Sequence, residues 1–280
     1  MMKVPFFNYP HLFTTQENEF SRILKDVGSR GAFIMQQDLQ NFEQRVADYC
    51  GSKYAVGVDN ATDGLQLGLM AGGVEAGAEV IICSHTMIAT ASAIHFAGAI
   101  PVPVEVGSDH TIDPDAIAGS ITPKTGAIIP TQLNGRTADM AAIQSIADQY
   151  GLDIYEDAAQ ALGAQFKGQY AGTFGKAACI SFYPAKILGC LGDGGLVLTS
   201  DREIYDKLLL LRDHGRANDG DISLWGFNTR LDNLQAAFLN FQFDNYDQVI
   251  KRRREIAAQY QEFLKDVDQI QLPPDPDANS

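Results

Sequence analysis

Residues 178–199, Ala-Cys-Ile-Ser-Phe-Tyr-Pro-Ala-Lys-Ile-Leu-Gly-Cys-Leu-Gly-Asp-Gly-Gly-Leu-Val-Leu-Thr, constrain this chain more than any other stretch. One short apolar run opens the segment and another closes it. Such runs, bounded by turn residues, read as buried strands. Between them lie Ser181, a single lysine, Lys186, and the glycines Gly189, Gly192, Gly194 and Gly195. That glycine density calls for a compact loop with close backbone approach. Burial at the mouth of a strand would lower the pKa of Lys186 and free its amine as a nucleophile. A loop lysine that snorkels to water is the alternative.

A second segment, Gly151-Leu-Asp-Ile-Tyr-Glu-Asp-Ala-Ala-Gln160, is another strand ending in a carboxylate. Asp157 falls at its C-terminal end, where open α/β sheets bind their ligands. An aspartate and a lysine at neighbouring strand ends are what pyridoxal phosphate requires. The lysine holds the cofactor as a Schiff base, and the aspartate keeps the pyridine nitrogen protonated. A plain salt bridge between the two is the other reading. Asp59-Asn-Ala-Thr-Asp-Gly64 joins a strand to a helix and exposes free N–H groups, a ready anion site. An ordinary N-cap by Asn60 or Thr62 would explain it equally.

The rest of the chain supplies a frame for these segments. Strands read at 53–58, 79–83, 99–106, 127–133 and 195–199 alternate with helices at 16–27, 37–50, 65–70, 86–97, 141–150 and 201–212. Strands and helices alternating with short gaps mean α/β with a mainly parallel central sheet. Residues 1–13, rich in proline and aromatics, read as extended. A long helix starts at Asn233, and the tail 272–280 reads as loop. Residues 1–240 form a large domain. Residues 241–280 hold the long helix and the start of a second, incomplete domain.

Composition excludes several functions. The 280 residues carry 21 basic and 35 acidic side chains, a net charge of −14. That argues against nucleic acid and anionic membranes as partners. Cys50, Cys83, Cys179 and Cys190 form no Cys-x-x-Cys pair, so no metal framework is expected and a reduced, cytoplasmic setting is. No signal peptide or membrane span is legible. His95 reads as a core-facing helical histidine, and Lys251-Arg-Arg-Arg254 as a solvated helix face.

Five ordered blocks carry a resemblance. They are Glu156-Asp-Ala-Ala-Gln160, Ser181-Phe-Tyr-Pro-Ala-Lys186, Gly192-Asp-Gly-Gly195, Leu211-Arg-Asp-His-Gly215 and the segment 226–237, Gly-Phe-Asn-Thr-Arg-Leu-Asp-Asn-Leu-Gln-Ala-Ala. Together they resemble the DegT/DnrJ/EryC1/StrS family of pyridoxal-phosphate aminotransferases acting on nucleotide-linked keto-sugars. The likeness runs from Val4-Pro5 to about Leu264. It implies the type I, aspartate-aminotransferase-like fold, with a seven-stranded sheet and helices on both faces. It also implies a small C-terminal domain of which this chain holds only the beginning.

By that resemblance Lys186 and Asp157 are catalytic. Gln160 contacts the ring or its phenolic oxygen, and Ser181, Ala61 and Thr62 hold the cofactor phosphate. Met87 takes the place of an aromatic that stacks on the ring, with His85 a second candidate. Asn228 reaches the phosphate of the neighbouring subunit, so the enzyme is a homodimer with composite sites. Its substrates are an amino-acid donor, glutamate or glutamine, and a nucleotide sugar. Ser-Phe-Tyr-Pro with Gly-Asp-Gly-Gly resembles members that aminate C3 more than C4. The sequence departs from the family pattern at Gln36 and Ala61, each in place of a glycine, at Met87, and at Gln132 in place of a histidine. The Gln132 and Asn134 amides would bond a sugar hydroxyl, brace the cofactor or satisfy turn backbone. A dehydratase of the same family would replace the lysine by histidine. A lyase of the same fold should lack the 226–237 block. A non-catalytic regulatory paralogue is the reading from a different class.

Overall fold

In the computed structural model, residues 5–217 and 219–273 are described. Among them the chain forms α1 (Tyr9–Thr14), α2 (Glu17–Arg30), α3 (Gln37–Cys50), β1 (Tyr54–Val58), α4 (Ala61–Gly72), β2 (Glu79–Cys83), α5 (Ile88–Phe96), β3 (Ile100–Val104), α6 (Pro114–Ser120) and β4 (Thr125–Ile129). It continues through a short 3-10 turn (Leu133–Gly135), α7 (Met140–Tyr150), β5 (Asp153–Asp157), a small hairpin β6 (Gln165–Phe166) and β7 (Gln169–Tyr170), β8 (Ala177–Ser181), β9 (Gly195–Thr199), α8 (Arg202–Arg212), α9 (Asn233–Phe243) and α10 (Tyr246–Leu264).

Seven strands make one sheet in the order β1-β9-β8-β5-β4-β2-β3. Only β9 runs against its neighbours; the β2–β3, β2–β4, β4–β5 and β5–β8 pairs are parallel. Period-2 alternation sends successive side chains to opposite faces. On one face Val56, Val58, Val80, Ile82, Ile129, Tyr155, Cys179 and Val197 pack under α4, α5 and α8. On the other, Leu196, Leu198 and Ile180 meet α3 and α9, and Ile81, Ile128 and Ile154 meet α6 and α7. Both faces are covered, so central strands such as Val80-Ile-Ile-Cys83 read as continuous apolar runs. The expected mainly parallel, helix-covered sheet is what forms.

The helix α4 lies close on this sheet because glycine faces it. A Cβ at Gly72 would overlap the Tyr155 ring and hydroxyl, and one at Gly64 would press on Val197 and Val58. The close approach fixes the N-terminus of α4 against the ends of β1 and β9.

Three local expectations fail. Tyr9–Thr14 is helical rather than extended, because Asn8 accepts the His11 N–H and Pro10 sits in the first turn, where proline is tolerated. The helix from Asn233 is two helices. Arg45 bonds the Asn240 carbonyl and the Asp244 carboxylate at the break. Beyond it Tyr246 is drawn inward to donate to the Leu162 carbonyl. His95 is exposed and packs edge-on against Phe96, because α5 buries Thr90, Ala93 and Ile94 instead. Lys251–Arg254 is solvated as expected. Of the loop-like tail and the N-terminal stretch, residues 274–280 and 1–4 lie outside the described residues.

Candidate active site

Parallel β5 and β8 are hydrogen-bonded neighbours, with Asp157 paired to Cys179. The last residue of β5 is Asp157, and Lys186 follows five positions after the last residue of β8. One cavity of about 660 Å³ is lined by Lys186, Asp157, Gln160, Ser181, Ala61, Thr62 and Met87. Seven of the eight expected site residues therefore meet in one place; the eighth, Asn228, does not line it.

Lys186 is half-buried, and burial lowers its pKa below the ordinary lysine value; Asp157 and Cys179 work in the opposite direction. Its loop is anchored where the Lys186 N–H donates to the Tyr183 carbonyl, 2.8 Å away. Asp157 is buried. Its Oδ1 accepts the Ala159 N–H at 3.2 Å and its Oδ2 accepts the Thr90 hydroxyl at 2.6 Å. The Gln160 amide oxygen accepts the Asn134 N–H at 3.0 Å, which holds the side chain at the cavity wall. Asn134 takes positive φ to make that turn, a conformation asparagine tolerates.

The strand-to-helix turn forms, and its cap is occupied. Asn60 caps α4 by accepting the Asp63 N–H at 2.9 Å. The first N–H groups of a helix have no intrahelical partner, and here they belong to Ala61 and Thr62 on the cavity wall. Ala61 opens α4 without positive φ, so the methyl in place of glycine is accommodated. Gly195 makes this cradle possible, since a Cβ there would overlap the backbone of Asn60 and Ala61. Burial and the Asp63 carboxylate hold Asp59, just before the turn, up at about 6, with the Thr229 hydroxyl pulling it down.

The remaining candidates resolve differently. Met87 is 70% exposed at the start of α5, on the cavity rim. His85 faces His110 at 5.9 Å between ring centroids, outside the cavity lining. Gln132 is fully buried; its amide donates to Glu156 and accepts from the Ala138 N–H, both at 2.8 Å, so it satisfies turn backbone. Asn228 is exposed on a loop bridged to Asp213 and does not cap a helix, since Asp232 occupies the cap of α9. Among the described residues no group of His, Cys, Asp and Glu side chains suits a metal ion.

Sequence reasoning missed Thr86, Thr90, Thr131 and Tyr183, which also line the cavity. The i,i+4 spacing of Thr86 and Thr90 was the one available signal. A second cavity of about 490 Å³, lined by Asn134, Tyr246 and Arg253, shares Gln160, Ser181, Tyr183 and Lys186 with the first.

The donor set fits pyridoxal phosphate group by group: an amine of lowered pKa, a buried carboxylate, and a helix start with a hydroxyl for a phosphate. Comparison with known proteins agrees. Residues 14–280 match the profile of the DegT/DnrJ/EryC1/StrS aminotransferase family. The chain is 41% identical to a Streptomyces venezuelae protein named dTDP-3-amino-3,4,6-trideoxy-alpha-D-glucose transaminase, over 97% of this chain and 72% of that one. It is 41% identical to the erythromycin biosynthesis sensory transduction protein EryC1 of Saccharopolyspora erythraea, over 97% of this chain and 75% of the relative. Its structure resembles that of S. venezuelae DesV, solved with a ketimine intermediate, at a TM-score of 0.92 and 40% identity, over 95% of this chain and 72% of that one.

Proposed function

The chain belongs to the DegT/DnrJ/EryC1/StrS aminotransferase family, and from that premise we propose that it aminates C3 of a nucleotide-linked keto-sugar. It is a pyridoxal-phosphate-dependent aminotransferase of fold type I. The observation that carries the proposal is the meeting of Lys186, Asp157 and the α4 N-terminus in one cavity. The name of the S. venezuelae relative, a 3-amino-sugar transaminase, supports C3.

Bound pyridoxal phosphate supplies an electron-accepting ring that stabilises negative charge at the carbon bearing the transferred nitrogen. This chain's residues do the rest. The Lys186 amine would anchor the cofactor and, as general acid–base, would carry the proton exchanged at the reacting carbon. Burial lowers the basicity of that amine, against the pull of Asp157 and Cys179. Asp157 holds a proton at the ring nitrogen. The N–H groups of Ala61 and Thr62 and the Ser181 hydroxyl bind the phosphate. Gln160, braced by Asn134, addresses the ring edge. Met87 covers a ring face through its polarisable sulfur.

Lys186 stands where the two cavities meet, so a proton can reach it from the cofactor side and from a sugar in the second cavity. The amino donor is glutamate or glutamine. The active unit is a homodimer in which Asn228 completes the partner's phosphate site. Its exposure, beside Trp225 at 94% and Ile222 at 62% exposed, supports an interface there. Free, buried thiols at all four cysteines support a reducing, cytoplasmic setting. No helix among the described residues is long and apolar enough to cross a membrane.

The name of EryC1 favours a second reading, a regulatory protein. One experiment separates the two. The protein is incubated with pyridoxal phosphate, glutamate and a dTDP-linked 3-keto-sugar, and the products are read by mass spectrometry. A 3-amino-sugar formed by the parent and absent with Lys186→Ala supports catalysis. No amino-sugar from 3-keto or 4-keto substrates with either donor would overturn it.

A further inference from the structure

Four side chains in the cavity form one line of hydrogen bonds. The Thr90 hydroxyl donates to Asp157 Oδ2 at 2.6 Å. Thr86 and Thr90 hydroxyl oxygens are 2.8 Å apart. The Thr131 hydroxyl donates to Thr86 at 3.1 Å. Each hydroxyl has one proton. Thr90 spends its proton on the carboxylate, so it accepts from Thr86, and Thr86 accepts from Thr131. All three protons therefore point along the line toward Asp157. A hydroxyl already polarised by a second donor makes a stronger bond to its acceptor.

The placement is specific. Thr90 is fully buried and Thr131 nearly so. Thr131 pairs with Asp157 in an isolated parallel bridge beyond the end of β4. Among the described residues Thr90 is the one donor to Oδ2; Oδ1 takes the Ala159 N–H and lies 3.9 Å from the Cys179 sulfur. A carboxylate held from both oxygens cannot rotate about its last bond. Valine in place of Thr90 keeps the shape and removes the donor.

We propose that Thr90, oriented by Thr86 and Thr131, is a positioning residue that fixes the Asp157 carboxylate plane toward the cofactor ring nitrogen. This rests on the assignment of Asp157 to that nitrogen. The Thr90 hydroxyl bonds Asp157 and Thr86, and it acts through Asp157.

Five proteins test it: the parent, Thr90→Val, Thr90→Ser, Asp157→Asn and the Thr90→Val/Asp157→Asn double variant. Two quantities are read, pyridoxal phosphate affinity by absorbance titration and kcat with KM for the keto-sugar. Losing a hydrogen bond to a charged group corresponds to about 10- to 100-fold. Thr90→Val should lose that in kcat, with KM within about threefold and cofactor affinity clearly weakened. Thr90→Ser should restore most of both. In the Asp157→Asn background, Thr90→Val should change either quantity by less than about twofold, because the carboxylate that Thr90 orients is gone.

A full effect of Thr90→Val in that background would mean a structural role and overturn the proposal. So would Thr90→Ser as impaired as Thr90→Val, or Thr90→Val indistinguishable from the parent. If Thr90→Val does not fold, Thr86→Val removes the donor to Thr90 and should lose about threefold in kcat; no loss overturns the proposal. Asp157→Asn equal to the parent would overturn the ring-nitrogen assignment itself, and this inference with it.

Discussion

Glu156→Gln is the substitution whose consequence the structure fixes most tightly. Glu156 is fully buried one residue before Asp157 and points to the opposite face of the sheet. Its Oε2 accepts the Gln132 amide and the Gly172 N–H, both at 2.8 Å. Its Oε1 accepts the Phe174 N–H at 2.7 Å and the Gly175 N–H at 3.3 Å. Burial pushes the carboxyl above the ordinary glutamate range and these donors pull it back. Glutamine has the same shape and one acceptor oxygen. In either amide orientation its NH₂ faces two donors. Turning the Gln132 amide does not help, because its oxygen already accepts the Ala138 N–H. Two donors, buried or partly buried, therefore lose their carboxylate acceptor.

Each unpaired donor costs about 1–3 kcal/mol, so the loss is about 2–6 kcal/mol. For a chain of this size that lowers Tm by about 5–15 °C. Relief of the buried charge works the other way, and the prediction is that it is the smaller effect. The affected N–H groups lie just before β8, the strand that delivers Lys186, so cofactor affinity should fall too. Thermal unfolding at neutral pH, followed by circular dichroism, decides the sign. A Tm equal to or above that of the parent would refute the reasoning, since desolvation would then outweigh two lost hydrogen bonds.

Other tests address the chemistry directly. Pyridoxal phosphate added to the protein should give a visible absorption band that is lost in Lys186→Ala; a surviving band would exclude Lys186 as the attachment point. The parent's rate of band formation should reach its plateau at a pH below that of an ordinary lysine, because burial lowers the Lys186 pKa and exposes free amine earlier in a pH series. Asp59 is held up at about 6, so it gains charge beside the anion turn as pH rises through that value. Asp59→Asn should therefore tighten pyridoxal phosphate binding about two- to threefold at pH 8, with no difference at pH 5; an equal effect at both pH values would assign the change to packing. Lys186→Ala and Asn228→Ala proteins, each inactive alone, should recover activity when their subunits exchange, because one site of the mixed dimer carries neither lesion; exchange without recovery would refute the trans role of Asn228.

Much of this was legible in the sequence because the informative residues were chemically out of place. A lysine between two apolar runs and a carboxylate ending a third stand out against a buried-strand background. Their meeting needed only the expectation that β5 and β8 are parallel neighbours. Strand runs at 79–83 and 195–199 were equally plain, since both faces of the sheet are covered and their interiors, Val80–Ile82 and Leu196–Leu198, are wholly apolar. Boundaries slipped where a tertiary contact overrode local pattern. Continuous helical periodicity through residue 244 gave no sign that Arg45, 199 positions earlier, would bond the chain at the break. Gln132 carried an amide suited to a sugar, and only the fold shows it facing Glu156.

The threonine line went unread for the opposite reason, with only the i,i+4 spacing of Thr86 and Thr90 to mark it. Threonine is common, neutral and at home in strands and at helix starts, so no single one signals a role. Thr131 follows β4, Thr86 precedes α5 and Thr90 lies within it, and their side chains meet only because β4 pairs with both β2 and β5. Sequence reading finds a site through residues whose burial would be costly without a purpose. It passes over residues whose burial is cheap, and orienting a carboxylate asks for just such a residue: a small hydroxyl that carries no charge of its own to compete with Lys186. The rare groups therefore mark the chemistry, and the common ones around them set its geometry through pairings that a linear pattern does not record.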